Sequence, residues 1–412
     1  MTENDAPGGT IVIVGGGHAA AQLCSGLVAA GQGARVHLVC AEAELPYQRP
    51  PLSKSFLKST QEVLQPFRSE AWYEQAAIAL HCADPALMID RERRLVRLQS
   101  GRELAFARLV LATGAHARRL PELSEALNNV AALRSAADAQ RLRSLLQQTR
   151  HLTVLGGGFI GLEVASAARA LGKQVTVLES APRLLMRSVS LELAQHVLQT
   201  HRDNGIDVRL GVAAGAPIVQ GGRLEALTVD GKPEPVELLV LGVGAVPEQS
   251  LASAAGLDCA NGIVVDTCMR TSDPAILAIG DCASFPAHDS GKRTRLESVQ
   301  NANDQARTAL ATLLGRDEPY RALPWFWSEQ GSMRLQMAGL MPEGAVRYRR
   351  AGATPASFSI LHYVNGAPLR LMCVESVNAP LDHMAARKLL EAGRSPDPAA
   401  ACDAATALMK HL

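Results

Sequence analysis

The chain has 412 residues, too long for one ordinary core, and its 47% hydrophobic content is that of a globular protein. Its formal charge of +1 argues against a dedicated nucleic-acid binder, and no apolar run is long enough to span a bilayer. The polar, acidic start lacks the basic-then-apolar layout of a secretory signal, so a cytoplasmic protein of two or three domains is expected, with neither nucleic acid nor membrane as partner.

Residues 10–14 are a β-branched run of the kind that a parallel sheet buries on both faces. The run leads into Gly15-Gly16-Gly17-His18-Ala19-Ala20 and then an Ala/Leu-rich helix to about residue 30. This is GxGxxA at a strand-to-helix turn. Gly15 permits the tight turn, and Gly17 leaves room for a pyrophosphate beside the backbone. Ala20 lets helix pack closely on strand, and the helix start offers free N–H groups to phosphate. Alone the string is weak, and a glycine turn without a ligand is the bland alternative; the flanking strand and helix favour a site. A second strand is expected over residues 34–40. The acidic residue that grips an adenosine ribose should follow it, and Glu42 is the local candidate.

The pattern recurs at residues 151–155, followed by Gly156-Gly157-Gly158-Phe159-Ile160-Gly161, a helix over 162–171 and a strand over 174–178. This second GxGxxG is complete, and Glu179 stands 23 positions beyond Gly156, near the ~20 usual for ribose recognition. A carboxylate there accepts from both ribose hydroxyls and repels a 2′-phosphate, so NADH is expected over NADPH. Arg183, close behind, works against that preference. Two fingerprints imply two dinucleotides, for which redox chemistry is the usual reason. An inert duplicate is the alternative, disfavoured because both copies keep their glycines.

Residues 109–111 with Ala112-Thr113-Gly114, and residues 238–241 with Gly242-Val243-Gly244, read as buried strands ending in small-residue turns that bring backbone close to a cofactor. Residues 271–281 read as a turn, a buried strand and then Gly280-Asp281. An aspartate there is costly without a partner. Sugar or ribityl hydroxyls would supply one, and a capped helix start is the bland alternative. From residue 324 the character changes. Pro324-Trp325-Phe326-Trp327 precedes strand-like stretches at 335–338, 356–363 and 369–374 and a helical tail from Pro380, which predict a separate α+β domain. The tryptophans read either as core or as a cofactor wall. The eight cysteines include no CxxC or CxxxxC pair and no zinc-ligand cluster, so neither a redox dithiol nor a metal is expected.

Together, Arg49-Pro50-Pro51-Leu52-Ser53-Lys54, Ala112-Thr113-Gly114, residues 158–165, Gly280-Asp281-Cys282-Ala283, residues 297–302 and residues 324–328 closely resemble the oxygenase-coupled ferredoxin reductases over essentially the whole chain. The resemblance implies an α/β, glutathione-reductase-like fold with two Rossmann-like domains. An FAD-binding domain (residues 1–117 and 243–323) would be split around an NAD-binding domain (118–242), followed by a C-terminal α+β interface domain (324–412). By position, Ala19, Lys54, Arg134, Asp281 and Val299 look like FAD contacts. Glu163 and Glu179 look like nicotinamide-side and ribose-side contacts for NADH. The implied cofactor-binding set also includes Gly15, Gly17, His18, Ala20, Glu42, Arg49, Ala86, Ala112, Thr113, Gly114, Gly156, Gly158, Phe159, Ile160, Gly161, Gly244, Gly280 and Trp327. The sequence departs from the pattern at Ala41, where relatives often carry an Asp for the FAD ribose.

The implied activity is hydride transfer from NADH to non-covalent FAD, then single-electron transfer to a 2Fe–2S ferredoxin. The ferredoxin would serve an aromatic-ring dioxygenase or a cytochrome P450. Lys54 and Glu163 are the expected catalytic residues, a pair exchanged for contacts with nicotinamide when NADH binds. A solvated lysine is the bland alternative, disfavoured by the rigid Pro50-Pro51. Arg293, Arg295, Arg316, Arg334, Arg347, Arg349 and Arg350 are candidates for docking an acidic ferredoxin, against the bland reading of a solvated face. A monomer or weak homodimer is expected. NADH peroxidases and coenzyme A disulfide reductases need a flavin-facing cysteine where residues 49–54 have none, and dithiol reductases need a cysteine pair. Monodehydroascorbate-reductase-like and apoptosis-inducing-factor-like flavoproteins keep a similar Pro-Leu-Ser-Lys stretch and stand as alternatives.

Overall fold

The β-branched runs of the first segment assemble into a parallel sheet in the order Ile276–Ala278, Arg108–Leu111, Ile11–Val14, Val36–Val39, Ala79–His81. The computed structural model describes residues 9–124, 126–288, 291–366 and 368–412, so most of the polar start (residues 1–8) lies outside the described residues. The sheet belongs to a unit made of the residues up to Arg49, Leu64–His116 and Ala245–Ala322. Ile13 sits in register between Leu38 and Val110, and all four residues of its strand are buried, which is why the strand is continuously apolar rather than alternating. The strand expected over 34–40 is shorter, because Gly33–Arg35 forms a 3₁₀ turn held by Arg35 Nε donating to Gly9 O at 2.8 Å. Helices His18–Ala29 and Val299–Leu313 pack together where Gly26 faces Leu310; a Cβ on Gly26 would lie 2.6 Å from Leu310 Cδ2.

The second unit comprises Pro50–Val63, Ala117–Gly244 and Leu323–Leu412. Its parallel sheet runs Asp207–Leu210, Gln174–Glu179, His151–Leu155, Leu238–Leu241, Val130–Ala131. The same unit holds an antiparallel sheet ordered Trp325–Gln330, Met333–Gly339, Arg370–Val377, Phe358–Val364, Val346–Ala351, covered by helix Pro380–Glu391. The strand expected over 356–363 is found at Phe358–Val364, whereas the one expected over 369–374 runs on to Val377, because it continues through the buried polar Glu375 and Ser376 that hydrophobic pattern cannot see. Ser359 Oγ and Ser376 Oγ lie 2.9 Å apart, and His362 Nε2 meets Glu375 Oε2 at 2.9 Å. Ser190 N donates to Glu375 Oε1 at 2.8 Å. Each polar group is partnered, so the strand stays inside. Among the described residues no helix is long and apolar enough to cross a membrane.

Arg350 is a correction. Expected on a docking face, it is only 4% exposed. Its guanidinium pairs with Asp382 at 3.1 Å and donates to the carbonyls of Ala401, Asp403 and Thr406 at 2.9, 2.7 and 2.8 Å. It therefore ties the strand Val346–Ala351 to the C-terminal tail and offers nothing to a partner. Arg350→Met is expected to destabilise the protein by about 3–5 kcal/mol, because the largely buried Asp382 carboxylate and the Ala401 carbonyl are left without their guanidinium donor. Denaturant unfolding would measure this, and a change below about 1 kcal/mol would refute the structural role. Arg349, by contrast, is exposed and pairs with Glu192 at 2.7 Å.

Candidate active site

In the first cradle Gly15 has φ +115°, and a Cβ there would lie 2.2 Å from Ala112 O, so only glycine fits above the Ala112–Gly114 turn. Thr113 is bound into that turn, its hydroxyl donating to Glu248 O at 2.6 Å. Gly17 differs. Its backbone is extended, no side chain caps the helix it opens, and an added Cβ would meet nothing within 4 Å. With no side-chain cap and open space beside Gly17, the start of this helix has room for a phosphate at its N-terminus. Gly280, at φ +79°, closes on the same helix start: a Cβ on it would sit 3.3 Å from Ala19 Cβ. Its N–H donates to Gln305 at 2.7 Å. Asp281 follows in a 3₁₀ turn, and Val299 opens the helix capped by Ser298. The unit thus gathers Gly15–Ala20, Ala112–Gly114 and Gly280–Asp281 around one helix N-terminus. These residues fit a dinucleotide pyrophosphate.

Glu42 carries its carboxylate into a polar cluster that spacing did not reveal. Tyr47 OH donates to Oε2 at 2.6 Å and Arg49 Nη2 to Oε1 at 2.6 Å. Arg49 also lies over the Tyr47 ring, 5.2 Å from its centroid. Burial pulls the Arg49 guanidinium down, but Tyr47, Glu42 and Asp281 push it up and prevail, so Arg49 links Glu42 electrostatically to Asp281. Ala86 lies on a strand of a small antiparallel sheet opposite Leu98, two residues past Asp84, whose N–H reaches Cys40 O at 3.3 Å.

The second cradle repeats the geometry. Gly156 has φ +107° and a would-be Cβ 2.5 Å from Gly242 O, and Gly161 packs helix Phe159–Ala170 against the Gly156 carbonyl. At Gly158 the nearest atom to a Cβ would be 3.7 Å away, and no side chain caps the helix. A cleft of about 530 Å³ opens there, lined by Gly156, Phe159, Glu179, Arg187 and Gly244 among others. Glu179 is pinned in it by backbone, accepting from Gly157 N at 2.6 Å and Ala181 N at 2.7 Å. Arg183, expected to bear on coenzyme choice, instead donates to the carbonyls of Val189 and Met186 at 2.8 and 2.7 Å. Arg187 is the arginine that lines the cleft, and its place on the loop after the second strand gives no sequence signal.

The second unit also buries an ion pair. Lys54 Nζ stands 2.7 Å from Glu163 Oε2, the two side chains being 18% and 4% exposed. Lys54 follows the Pro50–Ser53 3₁₀ turn and also donates to Pro50 O at 3.1 Å. Two serines complete the site: Ser53 Oγ donates to Glu163 Oε2, and Ser328 Oγ donates to Oε1 at 2.7 Å. Both serines lie in stretches that carry the family resemblance, residues 49–54 and 324–328, but spacing marks neither as a partner of Glu163. Phe159 meets Phe326 edge-on at 4.8 Å, Ile160 is exposed, and Trp327 is half-buried with its ring 5.8 Å from Trp325. Arg134 lies in this unit as well, its N–H donating to Asp138 at the start of helix Ala136–Gln148. All eight cysteines are free, five of them buried.

Two glycine cradles on separate parallel sheets, without a disulfide, are matched by known proteins. Residues 9–306 match the family described as pyridine nucleotide-disulphide oxidoreductase, and residues 325–412 match the reductase C-terminal family. The ferredoxin–NAD(+) reductase component of an anthranilate 1,2-dioxygenase system from Burkholderia cepacia is 38% identical over 402 residues, 97% of this chain and 98% of that protein. Among solved structures, the ferredoxin reductase for the CYP199A2 system from Rhodopseudomonas palustris is 42% identical with a TM-score of 0.93, covering 97% of this chain and 99% of that one. The reductase in a covalent putidaredoxin reductase–putidaredoxin complex is 36% identical with a TM-score of 0.91, covering 98% of each chain. The chain therefore belongs to the pyridine nucleotide-disulphide oxidoreductase family and carries that family's fold with a reductase C-terminal domain.

Proposed function

We propose that this chain is an FAD-dependent NADH:ferredoxin oxidoreductase, with FAD on the Gly15–Ala20 cradle and NAD(H) on the Gly156–Gly161 cradle. The observation that carries the reading is the pair of open, uncapped helix starts, each with a glycine whose added Cβ would meet open space or only distant atoms. On this reading residues 1–117 and 243–323 form the FAD domain, 118–242 the NAD domain and 324–412 the interface domain. FAD, when bound, would accept one hydride, two electrons, from NADH and release the two electrons one at a time. The chain's own residues do the holding. Helix-start N–H groups bind both pyrophosphates, the Glu42–Tyr47–Arg49 cluster faces the FAD ribose, and Glu179 accepts from the NADH ribose. Lys54 and Glu163 meet the nicotinamide side. Two relatives are named for ferredoxin reduction and a third was solved bound to putidaredoxin, which supports a ferredoxin partner here, of 2Fe–2S type, ahead of a dioxygenase or P450. We place the protein in the cytoplasm as a monomer or weak homodimer.

The test is direct. The purified protein should be yellow, and NADH-driven cytochrome c reduction should depend on added 2Fe–2S ferredoxin. A protein that stays colourless after incubation with FAD would refute the reading. Slow turnover with a long-lived charge-transfer complex would instead favour an interaction flavoprotein. Coenzyme choice gives a second expectation. A Glu179 carboxylate beside a 2′-phosphate costs several kcal/mol, so kcat/KM should favour NADH over NADPH by about a hundredfold, and Glu179→Gln should reduce that ratio about tenfold. An unchanged ratio would show that Glu179 does not set the preference.

A further inference from the structure

Bonding logic beyond the Lys54–Glu163 pair defines a chain with one direction. The Glu163 carboxylate can only accept, so the Ser328 hydroxyl at 2.7 Å donates to Oε1. With its single hydrogen committed, Ser328 accepts from Gln330 Nε2 at 3.2 Å. That settles the amide orientation: Gln330 Oε1 faces His201 Nε2 at 2.8 Å, and an amide oxygen is an acceptor only. His201 Nε2 must therefore carry hydrogen. Its Nδ1 is buried without a partner, which a neutral ring tolerates and a protonated one does not. Burial lowers the imidazole pKa in the same sense, against the hydrogen bond to Gln330. Ser328, Gln330 and His201 are each 1% exposed, so water does not compete for these bonds. Ser328 and Gln330 share one face of a strand, two residues apart, while His201 comes from helix Leu191–Asp203 and Glu163 from helix Phe159–Ala170.

We propose that Ser328, Gln330 and His201 are positioning residues for Glu163, a one-way hydrogen-bond relay that holds Oε1 so that Oε2 alone is presented to Lys54, Ser53 and an incoming nicotinamide carboxamide. The proposal deepens the NADH-oxidoreductase reading and rests on it. Every donor in the relay points toward the carboxylate, and bonds aligned this way polarise one another. A distant histidine thereby sets the orientation of a residue it does not touch.

The experiment uses the flavin-loaded protein and two readouts. Nitrogen-15 NMR of histidine-labelled protein should show His201 as the Nε2–H tautomer; the Nδ1–H tautomer would reverse the chain and overturn the proposal. Steady-state NADH oxidation with ferricyanide as acceptor, independent of any ferredoxin, supplies the second. Ser328→Ala should raise KM for NADH about tenfold and His201→Leu about threefold, with kcat within about twofold and flavin content unchanged. His201→Gln, which returns an N–H near the Nε2 position, should restore KM to within about twofold of the parent. A His201→Leu enzyme with parental KM, or a His201→Gln enzyme as impaired as His201→Leu, would overturn the relay. A parent protein that fails to oxidise NADH at all would instead sink the functional reading, and the NMR tautomer would still test the relay.

Discussion

Lys54→Met is expected to slow NADH-driven reduction of the flavin about a hundredfold, read by stopped-flow loss of the visible flavin band. Glu163 is 4% exposed, and Lys54 Nζ at 2.7 Å is its cationic partner among the described residues. Breaking a buried pair from one side costs about 3–5 kcal/mol, since the remaining charge is left without compensation. Lys54 keeps 18% of its side chain exposed, so the lower end applies, and a hundredfold in rate corresponds to about 2.7 kcal/mol. Ser53 and Ser328 stay bonded to the carboxylate and keep the site from collapsing. The double variant Lys54→Met/Glu163→Gln separates role from stability. Neutralising both partners should recover most of the lost stability, whereas the rate should stay low, because nothing charged remains to exchange with nicotinamide. Undiminished reduction in Lys54→Met would remove its catalytic role, and a full rate in the double variant would reduce the pair to a structural one.

The second large effect concerns the two glycines that the fold does not need. At Gly17 a methyl would meet no atom within 4 Å and the backbone is already extended. Gly17→Ala should therefore fold, losing only the ~1 kcal/mol by which alanine is a poorer helix cap than glycine. Yet that methyl would stand where a pyrophosphate approaches, so flavin affinity should fall about a hundredfold and the protein should purify pale. Gly158→Ala, with Gly242 O at 3.7 Å, should likewise fold and keep its flavin, while KM for NADH rises at least tenfold. Gly15→Ala is the contrast: a Cβ 2.2 Å from Ala112 O at φ +115° should prevent the unit from folding at all. Flavin-to-protein ratio, melting temperature and NADH KM measured on the three variants decide the matter. A fully yellow Gly17→Ala protein would mean that the first cradle does not seat the pyrophosphate.

The parallel cores and both strand–turn–helix units were legible because their signals are local. Residues 11–14 are apolar without a break and residues 152–155 are broken only by Thr153, the glycines follow at fixed spacing, and those features depend only on neighbours along the chain. The strand expected to end at residue 374 was read too short for the opposite reason. Glu375 and Ser376 look like loop residues until their partners are known. Side-chain destinations were less legible still. Arg183 and Arg350 read as free charges, yet each is consumed by backbone carbonyls near its own loop or across the tail. Arg187 reached the cleft with no motif to mark it.

By itself, then, the order of residues determined two phosphate-binding turns on parallel sheets, a third region of different character, and the absence of a dithiol. Spacing encodes these because the glycine pattern of a turn and the apolar run of a buried strand are each complete within a few residues of chain. Tertiary structure alone decided that Tyr47 and Arg49 would share Glu42, that Ser53 and Ser328 would close on Glu163, and that His201 would stand at the end of that line. Buried polar groups must find partners wherever the fold brings them, and partners more than a hundred residues apart leave no periodic trace in the sequence.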